Sequence, residues 1–177
     1  EVAKNNHLAI ENISVLKQIS GALLDGKSIW LQSDLPVTGV ERYSQISMSE
    51  QANTAGKVVI SDRTQTQLET LPTLYLRPKD LVIGVGCRKT IPFVHLKTCF
   101  LEFLKTYQYA CDSIKAMATI SRKQAEPAIL QLCETYHIPL QIVPDADIRA
   151  CGDLFEASAF VQQVTGLPSV SEACSYL

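Results

Sequence analysis

No two cysteines of this chain form a CxxC pair, and none precedes Cys87. A structural zinc site, which needs closely spaced paired ligands, is therefore not expected, and the metal assignment is none. The cysteines fall at 87, 99, 111, 133, 151 and 174. Cys99 and Cys133 lie on apolar helix faces, where a free thiol behaves as a small hydrophobe. They read as reduced thiols of a cytoplasmic protein, not as a disulfide framework. Excess positive charge is missing too. The 177 residues carry a net charge of −2, which leaves no global basic field to attract nucleic acid. No apolar run approaches the roughly 18 residues of a membrane span, and the first residues show no secretory pattern. Repeats, low-complexity tracts and the phosphate-cradling GxxxxGK[ST] motif are also absent. A soluble globular chain remains, 46% hydrophobic and 19% charged, long enough for one domain or two small ones with a real core.

Apolar spacing predicts a helix over 11–24, with Ile13, Leu16, Ile19 and Leu23 as its stripe and Gly26 as a stop signal. Short strands are expected at 28–31 and 58–60, with the polar stretch 41–56 between them as a loop. A third run, Leu74-Tyr75-Leu76, ends at Arg77-Pro78-Lys79, where proline interrupts pairing and suggests a boundary near 77. Beyond it, LVIGVG at 81–86 reads as a buried strand bounded by glycine. Phe93, Leu96, Phe100, Leu104 and Tyr107 mark one helix face, with Thr90 as N-cap. The segment 113–120 is weaker. A further helix starts at Pro127 and turns Ile129, Leu132, Cys133 and Tyr136 inward, and 139–143 makes the next strand. Asp153 with Glu156 resembles a capping box for a helix carrying Leu154, Ala157, Val161 and Val164. Ser169 with Glu172 resembles another, for the last helix. The fold class expected is α/β, in two small α/β units over 1–76 and 77–177, the C-terminal one a mainly parallel sheet with helices on its faces.

The stretch LVIGVGCRK at 81–89 admits three chemistries. Gly84 and Gly86 match the first two positions of GxGxxG, but the third is Lys89, which cannot allow the close helix–strand packing that the third glycine serves. No acidic residue follows at the ribose position, so a dinucleotide cofactor is set aside. Cys87 as a nucleophile gains from a position before a helix N-terminus, which lowers a thiol pKa, yet it needs an activating base: His95 falls eight residues later, about two turns along the following helix, and His7 and His137 have no legible relation to it. The third chemistry is anion recognition. A glycine turn feeding a helix exposes N–H groups at the positive end of the helix dipole. Arg88 and Lys89 stand in that turn. If the sheet is parallel, Arg122 and Lys123 reach the same edge, where such sheets bind ligands. Arg77 and Lys79 lie at the other end of the strand. Glu126 and Glu172 each begin a helix, where capping accounts for them; a desolvated carboxylate there could also act as a general base.

Three segments carry a family resemblance. LRPKDLVIGVGCRK at 76–89 resembles the signature of the CbiG family of cobalamin synthesis. ISRKQAEP at 120–127 is similar to its I-D-L-K-A-D-E-P motif, matching at Ile120, Lys123, Glu126 and Pro127. GLPSVSEA at 166–173 resembles its G-x-x-S-V-S-E-A. LAIEN at 8–12 and VVISDR at 58–63 resemble its central region. Two departures stand out: Ser121 and Ala125 replace the acidic residues of the second motif.

The resemblance implies cobalt-precorrin-5A hydrolysis. The ring A δ-lactone opens, the bridging C20 carbon leaves with its methyl as acetaldehyde, and cobalt-precorrin-5B remains. The substrate is a tetrapyrrole bearing many carboxylates and its own cobalt, so no protein cofactor is implied; partners would be that substrate and other enzymes of its pathway. Arg88, Lys89 and Lys123 would clamp peripheral carboxylates. Gly84, Gly86 and Cys87 would form the turn around a lactone oxygen, Ser169 and Ser171 would line the site, and Glu126 or Glu172 would position water. The family pattern also includes an N-terminal domain and a strand beyond the last helix, neither of which this sequence matches, so a fragment, or a chain whose partner supplies the rest, is expected. The rivals are a non-catalytic corrinoid-binding module, like the CobE proteins that the C-terminal part also resembles, and a generic anion-binding α/β domain.

Overall fold

The computed structural model describes residues 1–65, 69–151 and 154–177. Its first unit takes Glu1–Lys79 together with Gln108–Ser113, and its second takes Asp80–Tyr107 and Ile114–Leu177. A segment that lies between two stretches of the second unit thus belongs to the first. Among the described residues no helix is long and apolar enough to cross a membrane.

The first unit runs α1 (Val2–Asn5), β1 (Leu8–Ile10), α2 (Ile13–Leu24), β2 (Ser28–Ser33), β3 (Ile46–Ser47), β4 (Thr54–Ile60) and β5 (Thr73–Pro78). The strands order as β1-β5-β4-β2-β3, all parallel except β1 against β5. The period of two along β2 buries Ile29 and Leu31. With Ile60, Leu74 and Leu76 they pack on Ile19 of α2. Leu24 and then Gly26, with φ +73°, end that helix as the stop signal predicted, although Ile13 of the expected stripe is exposed.

Two expectations are corrected here. The stretch 41–56 is not only a loop: Ile46 pairs with Ile29 to add β3, and β4 already begins at Thr54. A single apolar residue is enough for a two-residue edge strand, too little to stand out in a polar run. The third strand also does not stop at Leu76 but continues through Pro78, which faces Leu8 of β1. The β4 register ends at Leu76, so a missing proline N–H costs no bond on that side.

Arg77 is 1% exposed and closes the carboxyl ends of these strands. Its Nε donates to the Glu11 carboxylate. Its Nη1 donates to the carbonyls of Ser61 at 2.9 Å and Arg63 at 2.7 Å, and the guanidinium lies 4.9 Å from the Tyr75 ring centroid. Arg77 is therefore a structural fastener between the segments 8–12, 58–63 and 76–79, not a base facing a ligand. Asn12 acts similarly: its amide donates to Thr73 O at 2.7 Å and accepts from Tyr75 N at 2.9 Å, mimicking a paired strand residue. The segment Gln108–Ser113 is tied on by Thr64 N to Gln108 O and Ala110 N to Asp62 O, each at 2.7 Å. The Arg63 guanidinium also stacks 3.9 Å over the Tyr109 ring.

The second unit holds β6 (Leu81–Gly84), α3 (Phe93–Tyr107), β7 (Ile114–Ile120), α4 (Pro127–Tyr136), β8 (Leu140–Val143), α5 (Asp145–Ala150), α6 (Ala159–Thr165) and α7 (Ser171–Tyr176). Its sheet, β6-β7-β8, is parallel throughout with helices on its faces, the α/β class expected. The weak segment 113–120 proves to be its central strand. Lys115, Ala116 and Ala118 are residue types depleted in strands, and the burial of the strand on both faces comes from tertiary packing. On one face Met117 meets Cys133 of α4, sulfur to sulfur at 3.7 Å, while Phe100 of α3 packs on Tyr136. On the other, Ala118 and Ile120 join Val143, Ile148, Leu167, Val170, Ala173 and Cys174. β6, expected as a buried strand, is only half-buried because it forms the sheet edge.

The termini of the helices also differ from expectation. Thr90 does not cap α3, which starts three residues later. Asp153 of the first capping box lies outside the described residues; α6 starts at Ala159, where Ser158 Oγ accepts from Val161 N. The helix α5 was not expected at all. In the second box the Ser169 hydroxyl meets the Glu172 carboxylate at 3.2 Å instead of capping the backbone, and Val170 holds the N-cap position.

The cysteines form no disulfides among the described residues. Cys133 is buried, but Cys99, placed by its spacing on an apolar face, is exposed. Cys174 is fully buried, and burial with the nearby Asp145 charge pushes its thiol pKa from 9.0 up to about 11. At pH 8, alkylation by iodoacetamide is expected to label Cys99 first and Cys174 only on unfolding. The folded thiol stays protonated where the unfolded one ionises, so stability is full below pH 9.0 and declines as pH rises through about 11. Urea midpoints should show this decline for the natural chain and a shallower one for Cys174→Ala.

Candidate functional site

The parallel sheet of the second unit brings the turns after β6, β7 and β8 to its carboxyl edge, the usual ligand side of such sheets. The turn after β6 is held from the α7 side by its two glycines. A Cβ added at Gly84 would lie 1.6 Å from the carbonyl oxygen of Ser171, and one at Gly86 would lie 2.9 Å from Ser171 Oγ. Gly84 is therefore the seat of α7, a helix–strand contact with no room for a side chain, whereas at Gly86 only the rotatable Ser171 hydroxyl stands in the way. Close helix–strand packing is the role of the third glycine in GxGxxG; here Gly84, at the first position, performs it toward a helix far along the chain.

From the α4 side the turn is held by Glu126, which is 7% exposed. Its Oε1 accepts from the backbone N–H of Thr90 at 2.8 Å, and its Oε2 accepts from Lys123 Nζ at 3.1 Å. Glu126 occupies the N-cap position of α4, yet its side chain makes no cap bond. It reaches across to the turn instead. Thr90, to which it reaches, has φ +58°, a left-handed conformation rare for a β-branched residue. Below the turn, Val85 N donates to Ala118 O at 2.8 Å and Thr119 Oγ1 donates to Val85 O at 2.7 Å, extending the sheet by one residue.

Between these holds, Arg88 and Lys89 are exposed, as is Gly86. Among the described residues, the N–H groups of Gly86, Cys87, Arg88 and Lys89 meet no protein acceptor. Cys87 is half-buried, and burial pushes its thiol up from the ordinary value; Lys123 pulls it down and Glu126 adds to the rise. The lowering expected from a following helix is not realised, because α3 begins only at Phe93. Cys87 is thus a protonated thiol at neutral pH and a turn residue.

The structure brings Gly84, Gly86 and Ser171 together, and it brings Lys123 and Glu126 to Thr90 within reach of Cys87. Ser169 is buried against Glu172, which is exposed and, among the described residues, has its second oxygen without a hydrogen-bond partner. Lys123, expected as a free clamp, is engaged by Glu126. Arg122 instead extends into solvent, 3.8 Å from Asp145 at the start of α5. Sequence reasoning missed Asp145 and Thr90: α5 is too short for its periodicity to register, and no residue type announces a left-handed threonine. Among the described residues no three His, Cys, Asp or Glu side chains gather as metal ligands.

Residues 81–177 match the family model described as cobalamin synthesis G C-terminus. A cobalt-precorrin-5A hydrolase of Salmonella typhimurium is 28% identical over 143 residues, covering 81% of this chain and 38% of that protein. One from Priestia megaterium is 26% identical over 172 residues, covering 94% of this chain and 44% of that protein. The chain spans 38% and 44% of the length of these curated relatives. Among solved structures, CobE, a protein from the cobalamin (vitamin B12) biosynthetic pathway, aligns at 28% identity and TM-score 0.49, over 53% of this chain and 67% of that one.

Proposed function

Because the chain belongs to the cobalamin synthesis G C-terminus family, we propose that it serves in cobalamin biosynthesis as the substrate-holding part of a cytoplasmic cobalt-precorrin-5A hydrolase. The observation that carries the reading is the match over 81–177, which includes the glycine turn, the Lys123–Glu126 stretch and the α7 motif, together with two relatives named for that activity. The reaction adds water across the ring A lactone and releases acetaldehyde, leaving cobalt-precorrin-5B. The cobalt arrives in the substrate.

The turn after β6 supplies what such a reaction needs. Arg88 and Lys89 hold peripheral carboxylates of the macrocycle through charge-assisted hydrogen bonds. The open N–H groups at 86–89 face the charge that develops on the lactone oxygen as water attacks. Glu172, exposed beside the turn and steadied by Ser169, takes the proton of that water through its open oxygen. Glu126 has both oxygens engaged and is not free for this task.

Incubating the chain with cobalt-precorrin-5A and assaying acetaldehyde tests the reading. Release supports the hydrolase, and tight binding without release assigns the chain to a corrinoid-binding module. Neither binding nor release refutes both. Arg88→Ala is expected to weaken precorrin binding by about tenfold or more, the loss typical of one charged hydrogen bond. An unchanged dissociation constant in a titration followed by corrinoid absorbance removes Arg88 from the clamp.

A further inference from the structure

The strongest unexplained arrangement in the second unit is a buried carboxylate spent on a strained turn. Glu126 gives one oxygen to the N–H of Thr90 and the other to Lys123, whose side chain is largely buried beside it. Thr90 adopts a left-handed φ of +58°, which a β-branched residue leaves unless its surroundings hold it there. The turn that this bond shapes is the one whose free N–H groups and exposed Arg88 and Lys89 face the sheet edge. Simple capping does not account for it, because Glu126 makes no cap bond to the helix it begins. Simple charge neutralisation of Lys123 would not require the bond to Thr90.

We infer that Glu126 is a positioning residue: through Thr90 it holds the turn at 86–90 in the conformation that presents N–H groups and cations to a polycarboxylate ligand. This rests on the functional reading above for the identity of that ligand. Its two oxygens have separable tasks. Oε1 sets the backbone of the turn, while Oε2 keeps Lys123 out of the anion site, so that the clamp consists of Arg88 and Lys89. The carboxylate thereby raises binding even though its own charge would repel the ligand.

Three variants separate these tasks. Glu126→Gln keeps an acceptor for Thr90 but releases Lys123. Glu126→Ala loses both contacts. Thr90→Gly in the Glu126→Ala background removes the strain, since glycine adopts φ near +60° without a holder. Amide hydrogen exchange of the peptide spanning 85–92 in the ligand-free chain reads the turn directly. Glu126→Ala is expected to exchange about tenfold faster or more, with Glu126→Gln near the natural chain, as strain of this class implies. In titrations with cobalt-precorrin-5A, Glu126→Ala is expected to bind about tenfold more weakly and the double variant to recover most of that loss. Glu126→Gln is expected to bind at least as tightly as the natural chain, because a freed ammonium joins the site. Unchanged exchange in Glu126→Ala overturns the inference, and so does a double variant that binds no better than the single one. If the natural chain itself ignores cobalt-precorrin-5A, the functional reading fails, while the exchange measurement still decides the role of Glu126. Circular dichroism confirms that each variant is folded before it is read.

Discussion

Gly84→Ala is expected to cost about 3 kcal/mol or more, at the upper end of the range for forcing atoms into a packed interior. The added methyl would sit 1.6 Å from the Ser171 carbonyl oxygen and 2.6 Å from its carbon, both backbone atoms of α7. No rotamer relieves that contact, so α7 must lift from β6 and uncover Ala173, Cys174 and their neighbours in the core. Gly86→Ala is the control. Its new methyl meets Ser171 Oγ at 2.9 Å, a side-chain atom that can rotate away, so a loss of about 1 kcal/mol or less is expected. Urea denaturation of both variants checks the contrast. Equal losses would mean that α7 does not rest on Gly84 in solution.

The second large effect is in the first unit. Arg77→Met removes the guanidinium that satisfies Glu11 and two backbone carbonyls, and an expected loss of about 3–5 kcal/mol follows from breaking a buried charge network on one side. Glu11 keeps partial access to water, which places the value toward the lower end of that range. Arg77→Lys should fall between, because one ammonium cannot span the three acceptors that a forked guanidinium reaches. Denaturation midpoints are the measurement, and a change under about 1 kcal/mol for Arg77→Met would contradict the fastener role.

How much of this was legible depended on whether the signal was carried locally. The helices α2, α3 and α4 repeat apolar residues at helical spacing, and Ile19, Phe100 and Ile129 are buried as that spacing requires. β8 was legible for the same reason. β7 was not, because Lys115, Ala116 and Ala118 weaken its local strand signal and its burial comes from helices on both faces. The candidate site shows the same division. Its residues were visible as glycines, bases and carboxylates at motif spacings, but their partners were not. Gly84 marks a need for space without saying that Ser171 fills it. Lys123 and Glu126 read as two site groups until their mutual bond, and the bond to Thr90, reassigns them. Arg77 read only as a base at the far end of a strand, because a sequence shows the charge and not the acceptors around it.

The segment Gln108–Ser113 has a consequence for synthesis. It belongs to the first unit, yet it leaves the ribosome after all of α3. The nascent first unit therefore emerges with the backbone of Asp62 and Thr64 still waiting for Ala110 and Gln108. Its completion is delayed until a helix of the second unit has already been translated, so the two units mature in an interleaved order, and a gene cut between residues 79 and 80 would separate the first from its own last strap.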